Sequence, residues 1–270
     1  MIQRKKKKPN GFTLMELIMV IVLLGVMGMM GSEFISEIFR GFKATDARLD
    51  IYEEGKTALV RMERELHNAI PNAINPASAT DLQFGSIDEQ AMRCTDTVAP
   101  LCDPGEYVFG QYSDNNPVGK AFIRDLSMAL DSTTNPIISI YNRSWGDFND
   151  IPAGSQRLYS VTGNSGPRKM DLIPNVKAAS PNKRFYAVDQ AVRYFLSGTT
   201  LLRETAPVTV GSSIIFANGG YPLAREVSNL IFGYQPGSLS RNAIVTIDFT
   251  ISRNGEDVDF HKEVQIRNVP

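Results

Sequence analysis

Residues that could do chemistry are few in this chain. It holds two histidines, His67 and His261, and two cysteines, Cys94 and Cys102. Two imidazoles so far apart in sequence leave little for acid–base catalysis. Gly163-Asn164-Ser165-Gly166 lacks the spacing of a nucleophile elbow and the strand that must precede one. Val118-Gly119-Lys120 follows no glycine-rich loop, so it is no phosphate cradle. Asp147-Phe148-Asn149-Asp150 offers oxygens, but without the glycine and closing glutamate of a calcium loop it reads as a solvated turn, with calcium ligation the rival reading. Trp145, the only tryptophan, is either a binding-surface anchor or loop packing, and packing is the expectation. Cys94 and Cys102 have seven residues between them, which is not the CxxC spacing of a metal pair. In an oxidising compartment they read as a disulfide, whose short loop would contribute about 2.5 kcal/mol on the chain-entropy estimate. The expectation is a body with no metal, no cofactor and no turnover.

One acid stands where it is costly. Glu16 lies inside an apolar run from Phe12 to Gly31, twenty residues that as a helix span roughly 30 Å, one hydrocarbon thickness. Arg4 and Lys5 to Lys8 precede the run with no acid among them, which holds that end in the cytoplasm. An ordinary signal peptide or signal anchor is the plain reading. No small-x-small cleavage site follows Met30, however, and an acid at membrane depth usually marks function. Glu16 is satisfied either within its own helix, by first-turn amides, or by a charge on a neighbouring chain.

Gly11-Phe12-Thr13-Leu14-Met15-Glu16, the basic leader before it and the apolar run behind it resemble the prepilin peptidase site of type IV pilins and type II secretion pseudopilins. The resemblance implies cleavage after Gly11, methylation of Phe12, and retention of the apolar helix with Glu16 fifth in the mature chain. In that family the glutamate is proposed to pair with the terminal amine of a neighbouring subunit and set the register of assembly. Later segments are similar to larger minor pilins, above all those of the mannose-sensitive haemagglutinin (MSHA) type: Arg61-Met62-Glu63-Arg64-Glu65-Leu66, Val192-Arg193-Tyr194-Phe195 and Leu230-Ile231-Phe232-Gly233-Tyr234. The implied partners are the prepilin peptidase and N-methyltransferase, other minor and major pilins, a platform protein with its assembly ATPase, and inner-membrane lipid. The implied place is the bacterial inner membrane, single-pass with a periplasmic C-terminal domain, and the pilus after assembly. A J-like type II secretion pseudopilin is the alternative, and a membrane-tethered periplasmic enzyme or binding domain a further one.

The elements that must carry these residues follow from patterning. Residues 1–11 form the leader, 12–31 the membrane half of a helix and 32–70 its amphipathic half. Apolar positions at Ile35, Ile38, Phe42, Leu49, Tyr52, Leu59, Met62, Leu66 and Ile70 keep helical spacing. Residues 71–270 form a β-rich domain. Pro71 to Asp81 reads as loop and residues 163–183 as an exposed connection. Strands are predicted at Leu82–Ile87, Tyr107–Tyr112, Ile137–Tyr141, Arg157–Thr162, Arg184–Val188, Val192–Leu196 and Thr200–Glu204. Val245, Ile247, Phe249 and Ile251 alternate with polar residues, Asn254-Gly255 signals a hairpin, and Lys262 interrupts the return strand as a bulge or edge residue. The fold class is α+β, pilin-like, with a long N-terminal helix packed on antiparallel sheet. Setting aside the five leader cations leaves 23 Lys and Arg against 29 Asp and Glu, an acidic balance that argues against a nucleic-acid partner.

Overall fold

The computed structural model describes residues 11–92, 110–111, 121–123, 136–166, 169–238 and 241–266. Its elements in chain order are α1 (Leu14–His67), β1 (Ala69–Ser78), β2 (Asp81–Ile87), β3 (Gly110–Gln111), β4 (Ala121–Ile123), β5 (Ile137–Ser139), α2 (Trp145–Asn149), β6 (Leu158–Gly166), β7 (Lys169–Ile173), β8 (Arg184–Ser197), β9 (Thr200–Ala206), β10 (Tyr221–Ala224), β11 (Val227–Gln235), β12 (Ala243–Arg253) and β13 (Glu256–Ile266). This is an α+β arrangement, a long N-terminal helix followed by antiparallel sheets. Residues up to Asp50 form one compact unit and residues from Ile51 a second. In the first, almost every side chain of α1 is exposed, including Ile35, Ile38, Phe42 and Leu49 of the expected stripe.

In the second unit, the last four turns of α1 bury Ile51, Gly55, Ala58, Met62 and Leu66. Met62 and Leu66 belong to the stripe expected from sequence, whereas Tyr52 on that stripe is exposed. The true face includes a glycine and an alanine, because Phe260 lies against the helix where Gly55 leaves room. A Cβ on Gly55 would sit 2.1 Å from the Phe260 ring. The helix ends at His67 rather than Ile70, which enters β1.

The smaller sheet runs β11-β12-β13. Val245, Ile247, Phe249 and Ile251 are all buried, as their alternation requires. Asn254 and Gly255 both have positive φ, 55° and 82°, the type I′ turn that matches strand twist. Pairing from Ala243↔Ile266 to Arg253↔Glu256 is unbroken, so Lys262 makes no bulge. It keeps the inward phase of Phe260 and Val264 on the edge strand, and its Nζ meets Glu63 of α1 at 2.9 Å.

The larger sheet is built around β8. Expected as two strands, Arg184–Ser197 is one. Its early residues Tyr186 to Val188 pair with β5, and its later residues Ala191 to Ser197 pair with β9. Along its other edge it takes β2, from Asp81↔Phe195 to Ile87↔Val188. The path continues β1-β2-β8-β5-β6-β7-β4, with β10 outside β9. Arg193 ties three strands: it reaches Asp81 at 2.7 Å and Glu204 at 3.5 Å and lies over the Phe195 ring.

Three segments differ from expectation. Pro71 to Ser78 is strand, not loop; β1 is an edge strand, where a missing proline N–H costs no ladder bond. Between Ala69↔Ser86 and Ile74↔Phe84 it bulges, with Asn72 at φ 60°. Residues 163–166 and 169–173 belong to β6 and β7, which pair antiparallel. Asp147 to Asn149 is buried rather than solvated: Asp147 accepts bonds from the Arg143 amide and Nε, both at 3.0 Å, and pairs with Arg157 at 3.2 Å. Asp150 Oδ1 accepts from the Gly154 and Gln156 amides. The Asp147 carboxylate and Asp150 Oδ1, weighed as calcium ligands, thus accept from the protein's own donors. Trp145 is 9% exposed and packs its ring 5.5 Å from that of Phe148.

Candidate processing and assembly site

Gly11, Phe12 and Thr13 precede the first helical residue, Leu14. Gly11 has nothing within 4 Å of where a Cβ would stand. Phe12 is 75% exposed, so both sides of the Gly11–Phe12 bond are open to an enzyme. Thr13 also caps the helix, as Thr-x-x-Glu at a helix start can. Its Oγ1 accepts from the Glu16 amide at 3.3 Å, and Glu16 Oε2 accepts from the Thr13 amide at 3.4 Å. This reciprocal capping box satisfies two first-turn donors and contributes about 1 kcal/mol to the helix end. Within a single chain, then, Glu16 has local partners for its charge.

Behind it, α1 is the one helix among the described residues long and apolar enough to cross a membrane. None of that apolar stretch is buried by the protein itself, as a segment solvated by lipid or by like helices requires.

The other end of α1 is held by charge as well as by its apolar face. Glu65, largely buried, accepts from Tyr194 Oη at 2.6 Å and Arg203 Nε at 2.8 Å, and Arg61 Nε stands 3.1 Å away. Burial by itself would raise its pKa, but the Tyr194 and Arg203 bonds outweigh it and hold the carboxyl below its ordinary value. Glu54 receives Arg253 at 2.7 Å, and Glu63 receives Lys262. Every acid in this set belongs to the helix and every base but Arg61 to the strands.

A depressed carboxyl contributes stability that is present above its unfolded pKa and lost as pH falls through the folded one. Glu65→Gln is therefore expected to destabilise the body by about 2–4 kcal/mol at pH 7, a gap that narrows as both proteins are taken below pH 4. Melting curves of the two proteins at pH 7 and pH 3 check this. An equal gap at both values would show that Glu65 acts by shape and not by charge.

Cys94 and Cys102 lie outside the described residues. His67 and His261 do not meet: His67 stands 3.9 Å from Glu63, and His261 bonds Asp248, whose carboxylate raises the imidazole pKa. Among the described residues no three His, Cys, Asp or Glu side chains gather as metal ligands.

Residues 6–32 match the prokaryotic N-terminal methylation motif. The match ends inside the apolar stretch and includes Gly11, Phe12, Thr13 and Glu16. It supports a pilin-like or pseudopilin chain whose N-terminus is processed by prepilin peptidase, and with the apolar helix it fits a single-pass, membrane-anchored protein. No curated protein and no solved structure matches the chain.

Proposed function

We propose that this chain is a minor pilin of an MSHA-type pilus, most similar to the O-type subunit of that system, and that it enters the filament or its tip to promote assembly. The observation that carries the reading is the processing motif running without interruption into an exposed apolar helix. In this reading residues 1–11 are removed, Phe12 becomes the methylated N-terminus, 12–31 serve insertion and assembly, the rest of α1 to His67 continues the helix, and the chain from β1 onward forms a periplasmic body. The body is a structural and interaction module without turnover. Its partners are sibling and major pilins, the platform protein and the assembly ATPase.

Mass spectrometry of the protein from membranes and from sheared pili tests this. The expected N-terminus is N-methyl-Phe12, present in both fractions. An intact Met1, or a cut after Met30, sinks the reading; a processed chain confined to membranes of cells engaged in type II secretion turns it toward the J-like pseudopilin. The same sample, alkylated without reduction after unfolding, is expected to carry no label on Cys94 or Cys102, since we infer that they form a disulfide. Label on both residues refutes that pairing.

Glu16 is the residue assigned to assembly. Cleavage places the Phe12 amine one helical turn from it, and two charges at a lipid boundary gain most when joined. Glu16→Val is expected to be cleaved and kept in the membrane but lost from sheared pili. Thr13→Ala, which breaks the capping box and leaves the carboxylate, is expected to assemble. Normal recovery of Glu16→Val in pili would leave Glu16 with a capping role alone.

A further inference from the structure

Asn-Gly is a reactive pair as well as a turn former. Glycine has no side chain to crowd its neighbour, so its backbone nitrogen can attack the carbonyl of the asparagine side chain. The new carbon–nitrogen bond closes a succinimide ring. The side-chain nitrogen leaves as ammonia, carrying the proton lost by the attacking N–H. Water then opens the ring at either carbonyl to give aspartate or isoaspartate, and nothing is oxidised or reduced. The chain holds three such pairs, Asn10-Gly11, Asn218-Gly219 and Asn254-Gly255. Asn218 and Asn254 are both exposed and both in left-handed backbone, at φ 60° and 55°. Exposure and conformation therefore do not separate these two.

Hydrogen bonding separates them. Asn218 Oδ1 accepts from Arg193 Nη1 at 2.8 Å, and the Gly219 N–H donates to Glu204 Oε1 at 3.3 Å. Arg193 and Glu204 are themselves paired, with side chains only 15% and 6% exposed. The nucleophile at this site is thus engaged, and a carboxylate beside it opposes loss of its proton. At the tip of the β12–β13 hairpin, among the described residues, no bond reaches the Asn254 side chain or the Gly255 N–H. Gly255 also has open space where a side chain would stand. We propose that Asn254 is a self-modification site, converted in the folded protein to isoaspartate and aspartate through a succinimide with Gly255, while Asn218 is held unreactive. The proposal stands independently of the pilus reading.

The consequence follows from where Asn254 stands. Isoaspartate routes the main chain through the former side-chain carbon, adding one backbone atom to a two-residue turn whose geometry is tightly specified. Arg253↔Glu256, the pair that closes the ladder, then loses its register. Arg253 ties this tip to α1 by reaching Glu54 at 2.7 Å, and the new carboxylate beside it competes for the same guanidinium. Farther down the hairpin Phe249 pairs with Phe260, the ring that lies against Gly55. Conversion therefore loosens the seat of the helix on the small sheet, and it does so with age.

Full-length protein in nanodiscs, aged in mildly alkaline heavy-oxygen water, tests this by peptide mapping, with an isoaspartyl methyltransferase marking isoaspartate. Conversion at residue 254 is expected to run at least about ten times faster than at 218, the factor for one hydrogen bond to a charged group. Glu204→Gln is expected to speed conversion at 218 and leave 254 unchanged. Aged wild type is expected to melt below fresh protein, whereas Asn254→Gly, which keeps the turn and lacks the amide, melts alike before and after. An unconverted Asn254, or an Asn218 that converts as fast, overturns the proposal, and this mapping uses wild type alone. An equal fall in melting temperature for aged Asn254→Gly overturns the link between the turn and the seat of the helix.

Discussion

Gly11→Trp is expected to leave the leader on every copy of the chain. Gly11 makes no packing contact and has open space where a side chain would stand, so the substitution costs the fold nothing and any loss belongs to the enzyme that must accept the residue. A peptidase that cuts after glycine has a subsite with no room for a side chain, and an indole there excludes the productive geometry. The uncut chain keeps five extra cations beside a helix start that assembly would have to place among other apolar helices. Cleavage should fall from complete to undetectable, and the variant should be missing from sheared pili while remaining in membranes. Intact-mass measurement on wild type and variant from the same host decides it. A Gly11→Trp chain processed at the normal rate would remove Gly11 from the site.

The second large effect sets two physical terms against each other. Replacing a mid-helix glycine with alanine stabilises an exposed helix by about 1 kcal/mol. At Gly55 the opposite sign is expected. The new methyl would lie 2.1 Å from the Phe260 ring, and that ring cannot swing aside because it stacks on Phe249 with centroids 4.8 Å apart. Overpacking of this kind costs about 1–3 kcal/mol, enough to cancel the propensity gain and reverse it, and Gly55→Val should cost more. Denaturant unfolding of full-length protein in nanodiscs measures the difference, and Gly55→Ala with Phe260→Leu should recover part of the loss because the two sites couple directly. A higher unfolding midpoint for Gly55→Ala alone would show that the helix and β13 are less closely seated than described.

These cases show what could be read from residues alone. The β12–β13 hairpin was legible in full: strict alternation sets the buried face, and Asn254-Gly255 can hold two positive φ angles at little cost. The existence of α1 was legible too, from its length and apolar run. Its buried face was legible only at Met62 and Leu66, because a period of 3.6 counts large apolar residues and gives no weight to Gly55 and Ala58, whose value is the room they leave. Pro71 and Pro76 masked β1, since prolines forbid a central strand but not an edge one. Asp147 looked solvated because its partner Arg157 lies ten residues on, beyond α2, and pairing across such a span has no local sequence signature. At the helix start the motif itself was legible, but the capping bonds between Thr13 and Glu16 were not read from it.

The place of β8 in the sheet sets a timetable for the newborn chain. Leu82 pairs with Tyr194 and Phe84 with Val192, partners more than a hundred residues downstream, and the apolar face of α1 from Ile51 waits longer still for Phe249 and Phe260. An emerging polypeptide therefore delivers its membrane helix and its first hairpin long before anything exists to cover them. Contacts so distant in sequence form slowly, and the unpaired strand edge of β2 stays sticky until β8 arrives. Synthesis that stalls before residue 184 leaves the β2 edge without β8 and the apolar face of α1 without its cover. Completion comes only with β12 and β13, when the final hairpin closes over the helix.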